Sequence, residues 1–324
     1  MINKIIALLL ILVLLTNCSD QKPELTLAES TGKINHLLIV IKDIQWRGEI
    51  GDEIRKILGA PILGLPQPET QFNISQVAPE YFGSMFKTSR SVLHISIGKE
   101  NKFTVQKDVY SKPQRIIQIV GKDPKSIAHL IEEHQKELVQ VFKDNDLYST
   151  QKVLNKDLWK KDKLKTLNNL GIQLNIPQKY RLVDDNGSFL WLRHQIASGS
   201  MNIIVYSVPI VSEDDLKGTN IVAMRDAIGK KHIPGGPKNS YMITEAAYSP
   251  HIFDVTLTGR KAFEVRGKWE VFGDFMAGPF LNYTVIDAKN NRLVVVEGFT
   301  YAPAVDKRDY MFELEAVLKT LKIK

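Results

Sequence analysis

Cys18 is the only cysteine in 324 residues. No disulfide can be closed within this chain, and a Cys-based zinc cluster is excluded with it. Whatever the chain folds into is therefore held by apolar burial. Hydrophobic residues make up 44% and charged residues 24%. That balance excludes a collagen-like, low-complexity or wholly disordered protein. It suffices for one large core or two modest ones.

The chain opens on a short basic start, Met1-Ile2-Asn3-Lys4, and then runs from Ile5 to Leu15 without a polar residue. As a helix this run would span about 16 Å, half of a bilayer core of roughly 30 Å. Residues 1–17 are accordingly read as a signal peptide and not as a membrane span. Leu15-Thr16-Asn17-Cys18 follows and looks like a bacterial lipobox, although Asn17 stands where Gly, Ala or Ser is usual. The resemblance implies acylation of Cys18 and an anchor in the membrane. Each buried CH₂ contributes about 0.8 kcal/mol, so two or more acyl chains hold a protein stably. Ser19 after the cysteine resembles the outer-membrane sorting pattern. Asp20 and Glu24 resemble acidic cell-surface signals, with Lys22 interrupting them. The expected location is the outer membrane, on its periplasmic face or at the cell surface. Residues 18–33 are polar and aperiodic and read as a tether.

The net charge of +7 comes from dispersed residues, mostly lysines. No Arg-rich run and no aromatic-basic signature is present, so nucleic acid is not an expected partner. The densest cluster, Lys156 to Lys165, is interleaved with Asp157 and Asp162. It is expected to form a solvated helix between two halves, with attraction to anionic envelope polymers or headgroups as the sharper reading.

Periodicity predicts an α+β chain. In residues 34–168, strands are expected at Leu37–Ile41, Phe72–Ile74, Val92–Ile97, Phe103–Val109 and Arg115–Val120. A helix is expected to carry Ile54, Ile57 and Leu58 on one face. Asp123-Pro124 is an N-cap with Pro at the first helical position, opening a helix towards residue 146. Residues 169–324 are richer in strands, with hairpin signals at Asp185-Asn186-Gly187 and Lys289-Asn290-Asn291. Ser212 to Asp215 starts a capping box for a helix towards Lys230. A last helix from Asp306 places Tyr310, Leu314, Val317 and Leu321 at helical spacing. Arg115–Val120 and Arg292–Tyr301 each lead through a Pro turn into a long helix. The expectation is two related halves, each an antiparallel sheet with packed helices.

Chemistry is harder to find. The sequence contains no G-x-S-x-G, P-loop or G-x-G-x-x-G string. His129 and His134 are spaced i, i+5, about 140° apart on a helix, which is wrong for a zinc pair. No catalytic residue, metal or cofactor is assigned. Positions 263–301 hold eight of the chain's 27 aromatic residues. There Phe263, Val265, Trp269 and Val271 alternate with Glu264, Arg266, Lys268 and Glu270, implying one buried and one charged, solvated face. Gly273 to Phe280 joins two strands and is unusually apolar for a turn. It is expected either to tuck into the core or to form part of a pocket or partner surface. Glu297 shares a strand face with Leu293, Val295, Phe299 and Tyr301 and so needs a partner, Arg266 or Arg225, or a raised pKa. Lys230-Lys231-His232 and the following Pro-Gly turn form a stiff connection with cations to offer a bound anion.

At Lys231 to Gly235, Ser240 to Glu245, Gly273 to Phe280 and Glu297 to Pro303, the sequence resembles an uncharacterised family of Bacteroidota lipoproteins, a domain of unknown function. The resemblance implies class and location without supplying a mechanism. Three readings follow. One is a non-catalytic lipoprotein binding an envelope protein or polymer through Arg266, Trp269, Phe275, Phe280, Glu297 and Tyr301. A second is an envelope hydrolase acting on glycan or peptide through Glu297, Glu270 or Asp254, in a cleft with paired carboxylates. The third is a carrier of a small apolar ligand held within the second half.

Overall fold

The computed structural model describes residues 26–324. The signal segment, Cys18 and the first part of the tether lie outside the described residues. The protein is α+β, built on two sheets of different character.

The first sheet has five strands, β1 (His36–Val40), β2 (Asn73–Val77), β3 (Ser91–Ile97), β4 (Lys102–Lys107) and β5 (Arg115–Gly121), in the order β2-β1-β3-β5-β4. Helix α1 (Glu49–Leu58) connects β1 to β2, and α2 (Pro124–Glu133) and α3 (Gln135–Leu154) follow β5. Asp123 caps α2 as expected, its carboxylate accepting from the Ser126 amide at 2.8 Å. The expected antiparallel pattern does not hold here: β1 runs parallel to β2 and β3, and β3 parallel to β5, leaving only β4 antiparallel. The reason is burial on both faces. Ile39, Leu93, Ile117 and Ile119 pack beneath α1, α2 and α3, while Leu38, Val40, Val92 and Ile116 pack on the opposite side with Phe82 and Phe86. A strand buried on both faces reads as the continuous apolar run Leu37–Ile41, the pattern of parallel sheets, and not as an alternation.

The second sheet has eight strands: β6 (Arg181–Asp185), β7 (Phe189–Ile196), β8 (Gly199–Pro209), β9 (Tyr241–Thr244), β10 (His251–Leu257), β11 (Arg260–Phe272), β12 (Ala277–Asp287) and β13 (Arg292–Tyr301). Its order is β9-β11-β12-β13-β8-β7-β6, with β10 pairing the same edge of β11, and the pairs are antiparallel throughout. Helix α4 (Ile221–His232) covers one face and α5 (Arg308–Leu318) the other. The close fit of α5 is visible at Gly298 of β13, where a Cβ would lie 2.8 Å from that of Leu314. The two sheets differ in strand direction and order, so the halves are not copies of one unit.

Local differences have local causes. The helix expected over 123–146 ends at Glu133, and a second runs on to Leu154; His134 stands at the break, stacked 4.0 Å from Phe103. The lysine-rich stretch after residue 155 is mostly turns, with a 3₁₀ segment at Lys161–Lys163 and a short helix only from Lys165 to Asn169. Trp159 and Leu164 do reach the core there, but they do not recur at helical spacing, so no continuous apolar stripe supports a longer helix. Ser212 and Asp215 do form a capping box, but it opens a 3₁₀ turn, and α4 begins only at Ile221.

The halves are joined at the start of α5. Glu69, from the loop before β2, accepts the backbone amides of Lys307 and Arg308 at 2.8 Å each. It supplies a carboxylate to a helix N-terminus whose first donors have no intrahelical partner. Arg308 donates back to the Thr70 carbonyl, and Asn35 donates to Asp309.

Candidate functional site

Between the halves lies a cleft of about 920 Å³. One wall is the loop Pro61–Leu65, and the next is the face of α3 bearing Lys136, Val139, Lys143 and Leu147. The second half contributes β10, β11 and the face of α5 with Met311, Phe312 and Glu315. Gly64 brings the loop onto β11: its φ is +83°, and a Cβ there would lie 2.9 Å from the Arg266 carbonyl carbon. A glycine is needed for both the backbone angle and the close approach.

The floor of the cleft is charged. Arg266 bridges two carboxylates, its Nε donating to Glu264 and its Nη2 to Glu315 at 2.8 Å. Lys319 holds the other Glu315 oxygen at 2.7 Å, and the Tyr283 hydroxyl donates to Glu264 at 2.9 Å. Burial opposes the charge on Glu315, but Arg266 and Lys319 outweigh it and hold the carboxyl down to about 2. Burial likewise works against Arg266, and Glu315 and Glu264 more than offset it, so the guanidinium stays charged. Burial first, and then the two glutamates, push the Tyr283 phenol well above its ordinary value. The tyrosine is therefore a hydrogen-bond donor at any ordinary pH.

Lys143 stands on the facing wall. Its Nζ donates to Asn35 Oδ1 at 2.6 Å and to the Gln71 carbonyl at 2.8 Å. The rings of Phe72 and Phe312 lie 4.5 and 5.2 Å away. Burial lowers its pKa to about 8, with Glu315 and Asp146 opposing the shift. The cleft thus offers an apolar wall, a fixed array of paired charges and one half-buried amine held by neutral oxygens. Such a mixture suits an amphipathic molecule, oriented by a few polar groups against apolar surface.

The sequence-expected residues scatter around this cleft. Arg266 and Phe280 line it. Glu297 does not, because it points to the opposite face of the same sheet. There Arg225 of α4 donates to both its oxygens, at 2.8 to 3.0 Å, and Asn282 adds a bond at 2.9 Å. Of the two arginines anticipated as its partner, the structure selects Arg225; Arg266 belongs to the other side. Trp269 is 2% exposed in the core beneath α4, packed edge-on against Phe299 at 5.6 Å, and Tyr301 is half-buried beside it. Phe275 stands fully in solvent at the hairpin tip. The polar face of β11 is not the solvated surface that its alternation suggests. Glu264 and Arg266 are covered by α5 and by the first half, which a single strand's pattern cannot reveal. Lys143, Asn35 and Glu315 were missed, since each acquires its setting only when the halves meet.

The three carboxylates considered for hydrolysis do not share a cleft. Asp254 lines it, Glu297 is sealed on the other face, and Glu270 sits on β11 opposite Ile243 and Ala277. Among the described residues no group of three or more His, Cys, Asp or Glu is arranged to hold a metal ion. Among them, too, no helix is long and apolar enough to cross a membrane.

The model of a domain of unknown function, DUF4837, matches residues 158–320, half of the chain. A second domain of unknown function, DUF8532, matches residues 30–155. No curated protein matches. Among solved structures the chain is similar to LpqN, involved in cell envelope biogenesis of Mycobacterium tuberculosis, at 14% identity over 47% of this chain and 82% of that one, with a TM-score of 0.28. It is similar to the Ran-binding protein Mog1p of Saccharomyces cerevisiae at 8% identity over 47% and 90%, TM-score 0.31. A protein of Bacteroides thetaiotaomicron gives 12% identity over 48% and 46%, TM-score 0.26. Likenesses of that size carry no functional argument.

Proposed function

The chain belongs to the DUF4837 family, a domain of unknown function, and on that premise we propose that it is a non-catalytic lipoprotein of the cell envelope that binds a small amphipathic molecule between its two halves. The observation that carries the binding role is the cleft of about 920 Å³, walled by both halves. Its size falls within the range of small-molecule sites, which favour domain junctions. The apolar wall of Leu63, Val139 and Leu147 would receive the hydrocarbon part of the ligand. Lys143 and the Arg266 cluster would orient its polar end. The lipobox-like Leu15–Cys18 supports an anchor at Cys18, and the outer membrane is the proposed location.

Native mass spectrometry of the full-length protein, released from its own membranes, tests the cleft. The expected result is a bound small molecule in the wild type that is lost in a Leu63→Trp/Leu147→Trp variant, since the two indoles would occupy the apolar wall against which its hydrocarbon part lies. A wild-type cleft that is empty, or a ligand retained by the filled variant, would refute the binding role. The anchor is tested separately. Cys18→Ser is expected to abolish labelling by palmitate and retention in the membrane fraction.

The hydrolase reading has less support. Its leading residue, Glu297, has both oxygens occupied by Arg225 and Asn282 and is 0% exposed.

A further inference from the structure

The β11–β12 hairpin ends in a tip that the cleft does not use. Gly273, with φ +83°, turns the chain, and the Val271 amide bonds the Met276 carbonyl at 2.8 Å to close it. Phe275 then projects with full exposure, and Phe272 is 56% exposed. Phe272 stacks on Tyr241 of β9 at 5.2 Å. Lys230, near the end of α4, places its Nζ 5.3 Å from the same tyrosine ring. The loop after α4 packs against the hairpin, since Gly235 leaves room only for Val271 and Ser240. That loop brings Lys238 to the same end of the molecule. Lys230, Lys231 and Lys238 are all exposed. The acidic group within the tip, Asp274, is turned back on the chain, its Oδ1 accepting from the Phe275 amide at 2.7 Å. Glu270, half-buried on β11, is the nearest other carboxylate along the hairpin.

Phe275 and Phe272 together leave an apolar patch in water at one end of the hairpin, and exposed apolar patches mark contact surfaces. Phe275 is fully exposed and neither described cavity includes residues 272–276; a fluid interface needs no preformed pocket. Aromatic rings partition to the interfacial layer of a bilayer, and lysines beside them are attracted to anionic headgroups. We propose that this tip is a second membrane contact, in which Phe275 and Phe272 enter the interfacial layer of an anionic bilayer and Lys230, Lys231 and Lys238 meet its headgroups. The inference rests on the envelope reading for the nearness of a membrane, and it is independent of what the cleft binds. With both contacts made, the body is held against the lipid surface in one orientation and does not swing freely on its tether.

The test uses the lipidated full-length protein reconstituted into vesicles containing 30% anionic lipid, some of it brominated in the upper acyl chain. Co-flotation with the vesicles reports the anchor, and bromine quenching of a Phe275→Trp variant reports the tip, so the two can fail separately. The expected result is that quenching in the variant exceeds that of the parent at least twofold. It should fall by half or more in zwitterionic vesicles and in a Phe275→Trp/Lys230→Gln/Lys231→Gln/Lys238→Gln variant. Co-flotation with no quenching beyond the parent overturns the proposal. Quenching indifferent to lipid charge and to the lysines overturns the headgroup contact, and quenching that requires an added envelope protein identifies a protein partner instead.

Discussion

The two faces of the second sheet carry the same chemical device in different settings. Beneath α4, Arg225 and Glu297 are 3% and 0% exposed and are completed by Asn282 and Thr244. Beneath α5, Arg266 with Glu264 and Glu315 is 20%, 15% and 12% exposed and borders the cleft. The sealed pair has no route to a ligand and cannot regain hydration if it is broken. The cleft cluster can do both. A buried charge network is therefore not by itself a sign of function; its access to an opening decides.

The largest expected effect is on the sealed face. Glu297→Gln removes the carboxylate that Arg225 grips and leaves it only the longer contact to Asp226 at 3.8 Å, and urea unfolding should show a loss of about 3 kcal/mol. An Arg225→Met/Glu297→Leu double variant should recover most of it, since matched apolar replacement of a buried pair is often neutral. If Glu297→Gln costs no more than Arg266→Met, the contrast between the faces fails.

Next in size is the acid response of the cleft cluster. Glu315 has a folded pKa of about 2 against an ordinary 4.5. A carboxyl depressed on folding contributes stability that is fully present above its unfolded value and is lost as pH falls towards the folded one. Stability should therefore decline between about pH 4.5 and 2, and Glu315→Gln should flatten that part of the curve. An unchanged acid limb in the variant would remove Glu315 from the account.

Lys143 gives a slope of the same sign at the alkaline end, for a different reason. Its folded pKa of about 8 lies below the ordinary 10.5, so between these values the unfolded chain binds more protons than the folded one. Stability contributed by this site then rises with pH across that window, as the penalty of a buried charge is relieved. Lys143→Met should abolish the rise. The smallest expected change is at the hairpin tip. Phe275→Ser should leave stability within about 0.5 kcal/mol, because the ring touches almost nothing in the folded protein.

Much of the architecture was legible because it depends on local pattern. Asp123-Pro124 opens α2, Asp185-Asn186-Gly187 turns a hairpin, and the spacing of Leu314 and Val317 marks the face of α5 buried against the sheet. The α+β class follows from those elements; the domain of unknown function was legible only as a resemblance of strings such as Lys231 to Gly235 and Glu297 to Pro303. The direction of the first sheet was also written in the unbroken run Leu37–Ile41, although its meaning depends on having cover on both faces. The charged alternation of β11 misled for a related reason. Period-2 patterning marks two faces but not what later packs on the polar one.

The sequence alone determined most of the elements, the apolar faces that must be buried, the need of Glu297 for a cation and the lipobox-like start. These are consequences of short-range sterics and of the cost of exposing hydrocarbon or burying charge, which act on neighbours along the chain. Only the tertiary structure decided that Arg225 and not Arg266 meets Glu297. It alone placed Lys143 opposite Glu315 and opened a cleft between the halves. Those choices join residues far apart in sequence, and the free energy that selects among them comes from the packing of α4 and α5 on opposite faces of the second sheet and of α3 against α5, to which no single segment contributes alone.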